Sequence, residues 1–478
     1  MELFEKLAAQ GAMIERLTSD SRRCAPGSAF FAYPGEKADG RTYIGEALQR
    51  GASAVVWEAE GFTWHPAWRL PNVAVRDLKQ RAGELAAAFY GEPSHELWIC
   101  GVTGTNGKTS CSHWIAAALE RAGEPSAVVG TLGSGFPGAL RDAGNTTPDA
   151  LELQATLKAL RGAGARALAM EVSSHGLVQG RINGVRFACA LFTNLSQDHL
   201  DYHGTMRAYG EAKARLFDVP GLDTAVLNLD DPFGRDLALR LAGRVRTIGY
   251  ALDTAPAIGV DEFIGLGPSM RIVSTLGQAP LAARQVARFN LSNLLGVLGA
   301  LLAHGVAFSR AVRLLADLPA VPGRMEQVSE RPLVIVDYAH TPDAIEKVLA
   351  ALRPLAAERG GHLAVVFGAG GERDATKRPL MGAAAERGAD RVLITSDNPR
   401  GEDPLRIIDA IARGMTRAAR REPDRQRAIE AAVLEAAPED IVLIAGKGHE
   451  SYQEIAGKRE PFSDQAVARA ALALRGKR

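Results

Sequence analysis

Short apolar runs alternate with helical patterns from the beginning of the chain. In its first part this alternation predicts three strands and two helices, at residues 29–33, 54–57 and 73–75 and at residues 43–49 and 78–90. Gly91, Glu92 and Pro93 then break the second helix, as residues of turns do. We therefore predict a small α/β domain over residues 1–90.

A strand, a glycine-rich loop and a helix open the next part of the chain. The apolar run at 97–102 ends in glycines, and the apolar positions from Trp114 to Leu119 recur at helical spacing. A second linker, rich in proline and glycine, lies between Pro319 and Gly323. Residues 91–322 are therefore predicted to form a central α/β domain with a parallel sheet.

The last part of the chain, residues 323–478, alternates most regularly. Its apolar runs are separated by largely helical stretches and lie at 333–336, 363–367, 392–395 and 441–445. Such alternation predicts a parallel, doubly wound sheet. Each run ends in a polar or glycine-rich loop, at 337–340, 368–374, 397–400 and 446–450. Because ligands of open α/β sheets bind at the carboxyl ends of the strands, we expect these four loops to face one site.

The composition is that of a globular protein without a special affinity for polyanions. Of the 478 residues, 46% are hydrophobic and 23% are charged, as in ordinary globular domains. The 56 lysines and arginines nearly cancel the 55 aspartates and glutamates, which leaves no global positive field for nucleic acid or anionic membrane. We therefore expect no nucleic-acid partner.

Export and membrane insertion are not predicted either. Charged residues within positions 1–10 argue against a signal peptide, and the longest apolar stretch, near 294–303, is too short to cross a bilayer. The four cysteines stand far apart with no CxxC spacing, at positions 24, 100, 111 and 189. Neither a disulfide framework nor a zinc site follows from them. We expect a cytoplasmic protein with no membrane span.

The strongest local signal is the loop after the predicted strand at 97–102. It reads Gly101-Val-Thr-Gly-Thr-Asn-Gly-Lys-Thr109, where backbone N–H groups and a helix N-terminus can surround a phosphate chain. Lys108 would reach the terminal phosphates and Thr109 would meet Mg²⁺. The match to GxxxxGK[ST] is incomplete, because Val102 occupies the first glycine position. A purely structural glycine turn is the alternative, and the strand, the helix and the Gly-Lys-Thr ending favour the phosphate loop.

Acidic and histidine side chains follow two further apolar runs. Glu171 comes directly after the run at 167–170, where it can hold Mg²⁺ beside a phosphate loop or be an ordinary acid at a strand end. Two aspartates and two histidines lie within residues 198–203. A solvated turn or a zinc site is an alternative there, although no third soft ligand lies nearby. The residues alone do not decide which of these four side chains, if any, binds a metal.

Five short motifs occur together in one order along the chain, at residues 104–109, 171–175, 193–199, 337–340 and 397–400. In these motifs and in their order the chain resembles the Mur ligases, and the resemblance covers all three predicted parts. It implies an N-terminal domain for the UDP end of a substrate, a central ATPase domain and a C-terminal Rossmann-like domain for an incoming amino acid. It also implies amide formation in peptidoglycan precursor synthesis, in which ATP phosphorylates a D-glutamate carboxylate and an amine attacks the acyl phosphate.

For ATP and its metal, the resemblance implies specific positions. ATP would be bound by Gly104, Thr105, Asn106, Gly107, Lys108, Thr109, Ser110, Asn290, Asn293, Arg324, Asp337 and His340. Mg²⁺ would be held by Thr109, Glu171, His199 and Lys213, the last as a carbamate, and Lys108, Lys213 and His199 would be catalytic. A neutral primary amine can capture CO₂, whereas a guanidinium stays protonated. Without the resemblance, the residues favour a solvated helix-surface lysine at 213, and a helix N-cap is an equal alternative for each of the two asparagines.

The resemblance also implies positions for the two other substrates. A UDP-MurNAc-L-Ala-D-Glu substrate would meet Ser21, Thr146, Thr147, Ser173, Gln179 and Arg181, which supply hydroxyls, an amide and a cation. A meso-diaminopimelate acceptor would meet Arg373, Asp397, Asn398, Pro399, Arg400, Gly446 and Glu450. Asp-Asn-Pro-Arg is the form of the diaminopimelate-adding members, and lysine-adding members depart from it at the arginine. Pro399 would fix the loop so that Arg400 points consistently, and a Pro-containing turn with a solvent-facing arginine is the alternative.

Three other functions remain open at this stage. A folylpolyglutamate synthase and a lysine-adding ligase would use related chemistry, and Arg400 and the N-terminal segment weigh against both. A nucleotide-dependent switch is the third, and it would hydrolyse ATP without an amino acid. The expected partners are the three small-molecule substrates, and a monomer is expected.

Overall fold

The computed structural model describes residues 2–36, 38–141, 144–253, 259–267, 270–281 and 287–475. Within these ranges the strands form three large sheets and one two-stranded hairpin, in consecutive stretches of the chain. No helix in the described ranges is long and apolar enough to cross a membrane.

The first sheet has four parallel strands in the order of the sequence. Its elements are α1 (Glu2–Ala9), β1 (Arg16–Thr18), β2 (Ser28–Ala32), α2 (Ile44–Gln49), β3 (Ala54–Glu58), β4 (Asn72–Val75) and α3 (Leu78–Tyr90). Helix α3 has the predicted bounds, and it ends because Gly91 adopts a φ of 78°, a left-handed conformation that glycine takes without strain. The predicted α/β character of this part is confirmed.

The second sheet has eleven strands and carries most of the core. Its elements are β5 (Trp98–Thr103), α4 (Lys108–Arg121), β6 (Ser126–Gly130), β7 (Gly133–Phe136), β8 (Ala139–Arg141), α5 (Ala150–Gly162), β9 (Ala167–Glu171), α6 (Ser174–Val178), β10 (Cys189–Phe192), α7 (Leu200–His203), α8 (Met206–Ala214), β11 (Thr224–Asn228), α9 (Pro232–Leu241), β12 (Arg246–Ala251), β13 (Glu262–Gly267), β14 (Arg271–Ser274), β15 (Gly277–Pro280), α10 (Arg288–His304) and α11 (Phe308–Leu315). Helix α10 is buried on nearly every side because apolar residues surround it, and it packs with α4 over the middle of the sheet.

The strand order of this sheet is β15-β14-β13-β12-β11-β10-β5-β9-β6-β7-β8. The seven strands from β13 to β6 run parallel, as predicted, and antiparallel pairs extend the sheet at both edges. The edge strands were not predicted because they are short and largely exposed, so their apolar pattern is weak. Strand β5 lies in the middle, which places the loop after it at the centre of the carboxyl edge.

The third sheet has the order β16-β17-β21-β18-β19-β20, with β16 antiparallel to five parallel strands. Its elements and those after it are β16 (Glu326–Glu330), β17 (Leu333–Asp337), α12 (Pro342–Arg359), β18 (Leu363–Phe367), α13 (Lys377–Gly388), β19 (Arg391–Ile394), α14 (Pro404–Ala412), β20 (Arg420–Arg421), α15 (Arg425–Glu435), β21 (Ile441–Ala445), β22 (Tyr452–Ile455), β23 (Lys458–Pro461) and α16 (Asp464–Arg475). The four predicted strands are neighbours within this sheet, so their carboxyl ends share one edge.

All four cysteines are free and buried. Cys24 packs beneath the first sheet, where burial raises the pKa of its thiol to about 11. Cys100, Cys111 and Cys189 lie in the core of the second sheet and are fully enclosed.

Candidate active site

One cavity of about 810 Å³ lies between the carboxyl edges of the second and third sheets. It collects most of the predicted site residues: Thr105, Asn106, Gly107, Lys108, Thr109, Ser110, Thr146, Thr147, Glu171, Ser173, Arg181, His199, Lys213, Asn290, Asn293, Arg324, Asp337, His340, Arg373, Asp397, Asn398, Arg400, Gly446 and Glu450. Four others do not line it: Ser21, Gly104, Gln179 and Pro399. Nucleotide-side and acceptor-side candidates therefore share one space.

The loop between β5 and α4 has a shape that requires glycine. Gly104 has a φ of 149°, and a Cβ there would lie 1.9 Å from the Thr193 hydroxyl. Gly107 has a φ of 88°, and a Cβ there would lie 2.5 Å from Oδ1 of Asn293. Side chains at either position would close the loop or push it from the helix. The loop therefore keeps its backbone N–H groups close to the start of α4, where anions bind.

Lys108 stands at the first turn of α4 and bends back over the loop. Its Nζ donates hydrogen bonds to the carbonyl oxygens of Gly104 and Thr105, at 2.8 Å each. Burial lowers the pKa of the Lys108 amine, while the nearby carboxylates of Glu171 and Asp198 act in the opposite direction. Two backbone carbonyl oxygens thus hold the Lys108 amine over the loop.

Glu171, at the end of β9, faces the same loop. Its Oε2 accepts a hydrogen bond from Thr109 Oγ1 at 3.0 Å, and its Oε1 accepts one from the backbone N–H of Thr131 at 2.8 Å. Gly130 leaves room for this carboxylate, since a Cβ there would lie 2.3 Å from Oε1. Oxygen ligands beside a phosphate loop suit Mg²⁺.

Lys213, on α8, is not a surface lysine, so that alternative is wrong. Its side chain is 1% exposed, and its Nζ donates to the same Gly104 carbonyl oxygen as Lys108, at 2.9 Å. The Nζ also lies 4.2 Å from the ring centre of Tyr209. Burial, followed by the neighbouring charge of Lys108, holds the pKa of the Lys213 amine well below its usual value. The neutral amine that CO₂ capture requires is therefore favoured at this position.

His199 begins α7 with a left-handed φ of 54° and lies beside other rings. Its ring centre is 4.8 Å from that of His175. Burial lowers the pKa of His199 to about 3 even though Asp198 lies 3.4 Å away, so its imidazole is neutral and able to bind a metal. Among the described residues, no three His, Cys, Asp or Glu side chains are grouped closely enough to hold a metal ion.

Asp198 joins the two sides of the cavity. Its carboxylate lies 3.4 Å from Nζ of Lys377 and 3.8 Å from Nε2 of His340, both from the third-sheet part of the chain. Burial opposes the charge of Asp198, yet these neighbours hold its pKa well below the usual value. Lys377 was not among the predicted site residues, although it lines the cavity and is almost fully buried.

Two more contacts cross between the phosphate loop and the third-sheet part. Arg324 Nη2 donates to the Thr109 hydroxyl at 2.9 Å. Asn106 Nδ2 donates to Oδ2 of Asp343, at the start of α12, at 3.0 Å.

Asn290 and Asn293, on α10, also line the cavity, and neither is the N-cap of α10, since that position is Ala287. The N-cap alternative for the two asparagines is therefore wrong.

Asp337 and His340 follow β17. Asp337 accepts hydrogen bonds from the backbone N–H groups of Met325 and Ala339, at 2.7 and 2.8 Å, and its burial raises the pKa of its carboxyl. A ring nitrogen of His340 pairs with the carbonyl oxygen of Tyr338 at 2.8 Å. Backbone groups thus fix both side chains.

A network of hydroxyls and one cation forms the wall next to Glu171. Thr147 Oγ1 lies 3.1 Å from Ser173 Oγ, and Arg181 Nη1 donates to the Thr147 carbonyl oxygen at 2.6 Å. Gln179 lies behind Arg181 and accepts its Nε–H at 2.8 Å. Ser21 lies away from this wall, in the first-sheet part, where its hydroxyl donates to Glu46 at 2.8 Å.

The opposite wall is formed by loops at the carboxyl edge of the third sheet, as predicted. Asn398 Nδ2 donates to Glu450 Oε2 at 2.8 Å, and a Cβ at Gly446 would lie 2.6 Å from Oδ2 of Asp397. Arg373 lines the same side of the cavity. This wall therefore combines anions, an amide and cations, which suits a zwitterionic ligand.

Arg400 is fixed by more than the proline before it. Its φ is 52°, its backbone N–H donates to the Glu454 carbonyl oxygen at 3.0 Å, and its carbonyl oxygen accepts from Ala456 N–H at 2.7 Å. Its Nη1 donates to the Gly371 carbonyl oxygen at 2.7 Å. The hairpin β22–β23 thus holds the backbone of Arg400, and the solvent-facing alternative is wrong because Arg400 lines the cavity.

Three stretches of the chain match domains of one family. They are the Mur ligase family catalytic domain over residues 13–90, the Mur ligase middle domain over 102–301 and the Mur ligase glutamate ligase domain over 323–448.

Individual relatives and solved structures point in the same direction. A UDP-N-acetylmuramoyl-L-alanyl-D-glutamate–2,6-diaminopimelate ligase from Pseudomonas aeruginosa is 51% identical over 482 residues, which cover 99% of this chain and 97% of that protein. A ligase of the same name from Chromobacterium violaceum is 49% identical over 476 residues, covering 98% and 96%. A solved structure of a ligase of this name is 38% identical with a TM-score of 0.66, covering 97% and 95%. The ADP complex of MurF ligase from Thermotoga maritima is 19% identical with a TM-score of 0.63, covers 97% and 98% and shares the fold. The chain belongs to the Mur ligase family.

Proposed function

We propose that this protein is the ATP-dependent ligase that joins meso-diaminopimelate to the D-glutamate of UDP-MurNAc-L-alanyl-D-glutamate. The observation that carries the proposal is that the phosphate loop and the third-sheet loops with Asp397, Arg400 and Glu450 line one cavity. Relatives with the corresponding name cover nearly the whole chain at about half identity. The reaction belongs to peptidoglycan precursor synthesis in the cytoplasm, and the active species is a monomer.

Each part of the chain has a separate task in this proposal. Residues 1–90 bind the UDP end, residues 91–322 bind ATP and residues 323–478 bind the amino acid. Ser21, in the first part, does not line the cavity, and we assign it to the UDP end of the substrate. Thr146, Thr147, Ser173 and Arg181, with Gln179 behind Arg181, meet the peptide end of that substrate.

The chemistry begins at the phosphate loop. The backbone N–H groups of the loop and the cation of Lys108 bind the phosphates of ATP and orient the terminal phosphoryl group toward the D-glutamate carboxylate. Asn290, Asn293, Arg324, Asp337 and His340 hold the rest of the nucleotide, together with the loop residues Gly104 to Ser110. Mg²⁺, when bound by Thr109, Glu171, His199 and carbamylated Lys213, supplies positive charge for the phosphate oxygens. The unmodified Lys213 ammonium would not fit that ligand set, and a carbamate would.

The acceptor wall then brings the amine to the activated carboxyl. Asp397 and Glu450 receive an ammonium group, while Arg373 and Arg400 pair with carboxylates, and Asn398, Pro399 and Gly446 shape the wall around them. The amine attacks the acyl phosphate carbon, and the tetrahedral intermediate expels inorganic phosphate. Enclosing both reactants in one cavity keeps water from the acyl phosphate.

The test is identification of the product. Mass spectrometry after incubation with ATP, UDP-MurNAc-L-Ala-D-Glu and single diamino acids should show a tripeptide with meso-diaminopimelate, with one phosphate released for each amide formed. Phosphate release that does not depend on an amino acid would contradict the proposal and favour a nucleotide-dependent switch. Product with lysine in place of diaminopimelate would assign a different acceptor.

Arg400 is expected to select diaminopimelate over lysine. Only diaminopimelate has a carboxylate beside its distal ammonium, and a guanidinium can pair with that carboxylate through two hydrogen bonds. Losing such a contact costs about 2 to 5 kcal/mol, so Arg400→Ala should lower kcat/KM for diaminopimelate by at least about tenfold. The much weaker use of lysine should change little.

The measurement is the ratio of kcat/KM for the two amino acids at saturating ATP and UDP substrate. Arg406→Ala is the matched control, because Arg406 is an exposed arginine on the neighbouring helix α14 and does not line the cavity. An unchanged ratio in Arg400→Ala would show that another residue makes the selection.

A further inference from the structure

Lys447 is buried directly behind the acceptor wall. Its side chain is fully enclosed and does not line the cavity. Its Nζ donates hydrogen bonds to Oδ1 of Asn398 at 2.9 Å and to Oε2 of Glu450 at 2.7 Å. Because Asn398 Nδ2 donates to the same Glu450 oxygen at 2.8 Å, the three side chains form a closed triangle. Two members of the triangle line the cavity, and the third holds both from behind.

The triangle is attached to the fold at the level of the backbone. Oδ1 of Asn398 also accepts the backbone N–H of Glu454, in β22, at 2.9 Å. Nearby, the buried guanidinium of Arg425 donates to the carbonyl oxygens of Ser396 and Ala445, at 3.2 and 3.0 Å. These two residues directly precede Asp397 and Gly446. The loops that carry the triangle and the Asn398 amide are therefore fixed, and the orientation of the Glu450 carboxylate depends most on Lys447.

A lysine at this position is not explained by packing alone. Lysine is rarely enclosed unless it is paired, because burial of an ammonium is costly, whereas an apolar residue of similar length could fill the same space without that cost. Lys447 is paired with Glu450, whose side chain is itself 18% exposed. Its contacts occupy one carboxylate oxygen of Glu450, and the described hydrogen bonds leave the other oxygen available to the cavity. The pair therefore orients a carboxylate toward the ligand side.

We propose that Lys447 is a positioning residue of the acceptor site, which holds the Glu450 carboxylate, braced also by the Asn398 amide, where it receives the ammonium of the incoming amino acid. This inference rests on the proposed function, because it assigns the acceptor to this wall. Without Lys447, Glu450 would keep only the weaker contact from the neutral Asn398 amide and would rotate among several orientations. Binding of the amino acid would then have to order the carboxylate, at the expense of affinity.

The test is the effect of Lys447→Met on the three substrates separately. Methionine has a similar length but carries neither the charge nor the donors. The KM for diaminopimelate should rise by at least about tenfold, the loss expected for one charge-assisted hydrogen bond. The KM values for ATP and for the UDP substrate should stay within about twofold of wild type, because their residues lie elsewhere in the cavity.

Two comparisons separate positioning from general damage. Arg427→Met is the matched control, since Arg427 is an exposed cation paired with Asp424 three residues away, and all three KM values should be unchanged. Lys447→Gln keeps one neutral donor and should give a smaller rise in KM, confined to diaminopimelate. This variant also tests the inference when Lys447→Met does not fold.

Wild-type KM values in Lys447→Met, or an equal rise for all three substrates with a lower melting temperature, would overturn the inference. An equal rise in both Lys447 variants would do the same. Absence of tripeptide from the wild-type protein would instead count against the proposed function, so the two failures are distinguishable.

Discussion

Replacing Lys108 with alanine is expected to abolish amide formation while leaving binding of the UDP substrate largely intact. Lys108 is the cation at the start of α4, with its Nζ 2.8 Å from two loop carbonyl oxygens. In the proposed reaction it neutralises charge on the transferred phosphoryl group, and groups in this role change phosphoryl-transfer rates by about 10³-fold or more. The UDP end is assigned to a different part of the chain, so its affinity should not follow the loss of activity.

The two quantities are measured separately. Tripeptide formation is followed by mass spectrometry, and UDP-substrate affinity is followed by titration calorimetry of the same variant. Lys458→Ala, in the exposed strand β23, provides the lysine control and should behave as wild type. Normal turnover in Lys108→Ala would remove the basis for a phosphate loop at residues 104–109, whereas loss of both activity and binding would indicate damage to the fold.

Replacing Lys213 with alanine is expected to leave almost no activity. The amine of Lys213 is buried, and its pKa is held well below the usual value by burial and by Lys108. A neutral amine attacks CO₂ and gives a carbamate, an anion where the sequence encodes a cation. Since the missing group resembles a small carboxylate, short-chain acids such as acetate should partly restore activity of Lys213→Ala.

Three measurements check this expectation. Tripeptide formation is compared with and without added acid, and wild-type protein in ¹³C-bicarbonate should show a carbamate carbon signal that Lys213→Ala lacks. Lys213→Arg should be inactive as well, because a guanidinium does not form the carbamate. Lys158→Ala, an exposed lysine on α5, is the control. An unmodified Lys213 ammonium in an active enzyme would contradict the carbamate.

The sequence predicted those features that follow from local pattern. The bounds of α3 and the parallel centre of the second sheet are examples, because apolar periodicity and glycine breaks determine them directly. The shared position of the third-sheet loops was also predictable, since the carboxyl ends of neighbouring parallel strands lie on one edge. Asp397 and Glu450, which lie in two of these loops, could therefore be placed at one site from the sequence.

Features that depend on distant contacts were not predictable in the same way. The helical pattern around Lys213 is that of a surface residue, and its burial arises from the loop at Gly104, 109 residues away. Lys447 contacts Asn398 across 49 residues, and Lys377 reaches Asp198 across 179. A single sequence gives spacing along the chain but not which side chains meet across the fold. Only the glycine-rich neighbourhood of Lys447 offered a signal, and it did not indicate which atoms the amine would hold.

Because the four thiols are buried, their reaction with a reagent in solution reports where the protein unfolds. A maleimide cannot reach an enclosed sulfur, so alkylation must wait for local or global unfolding. Cys24 reports on the first sheet, and Cys100, Cys111 and Cys189 report on the second. The chain beyond Cys189 has no cysteine, so unfolding of the third sheet exposes no thiol and is not detected by alkylation. The order in which the thiols become alkylated under mild denaturation would therefore show whether the first two sheets unfold together or one at a time.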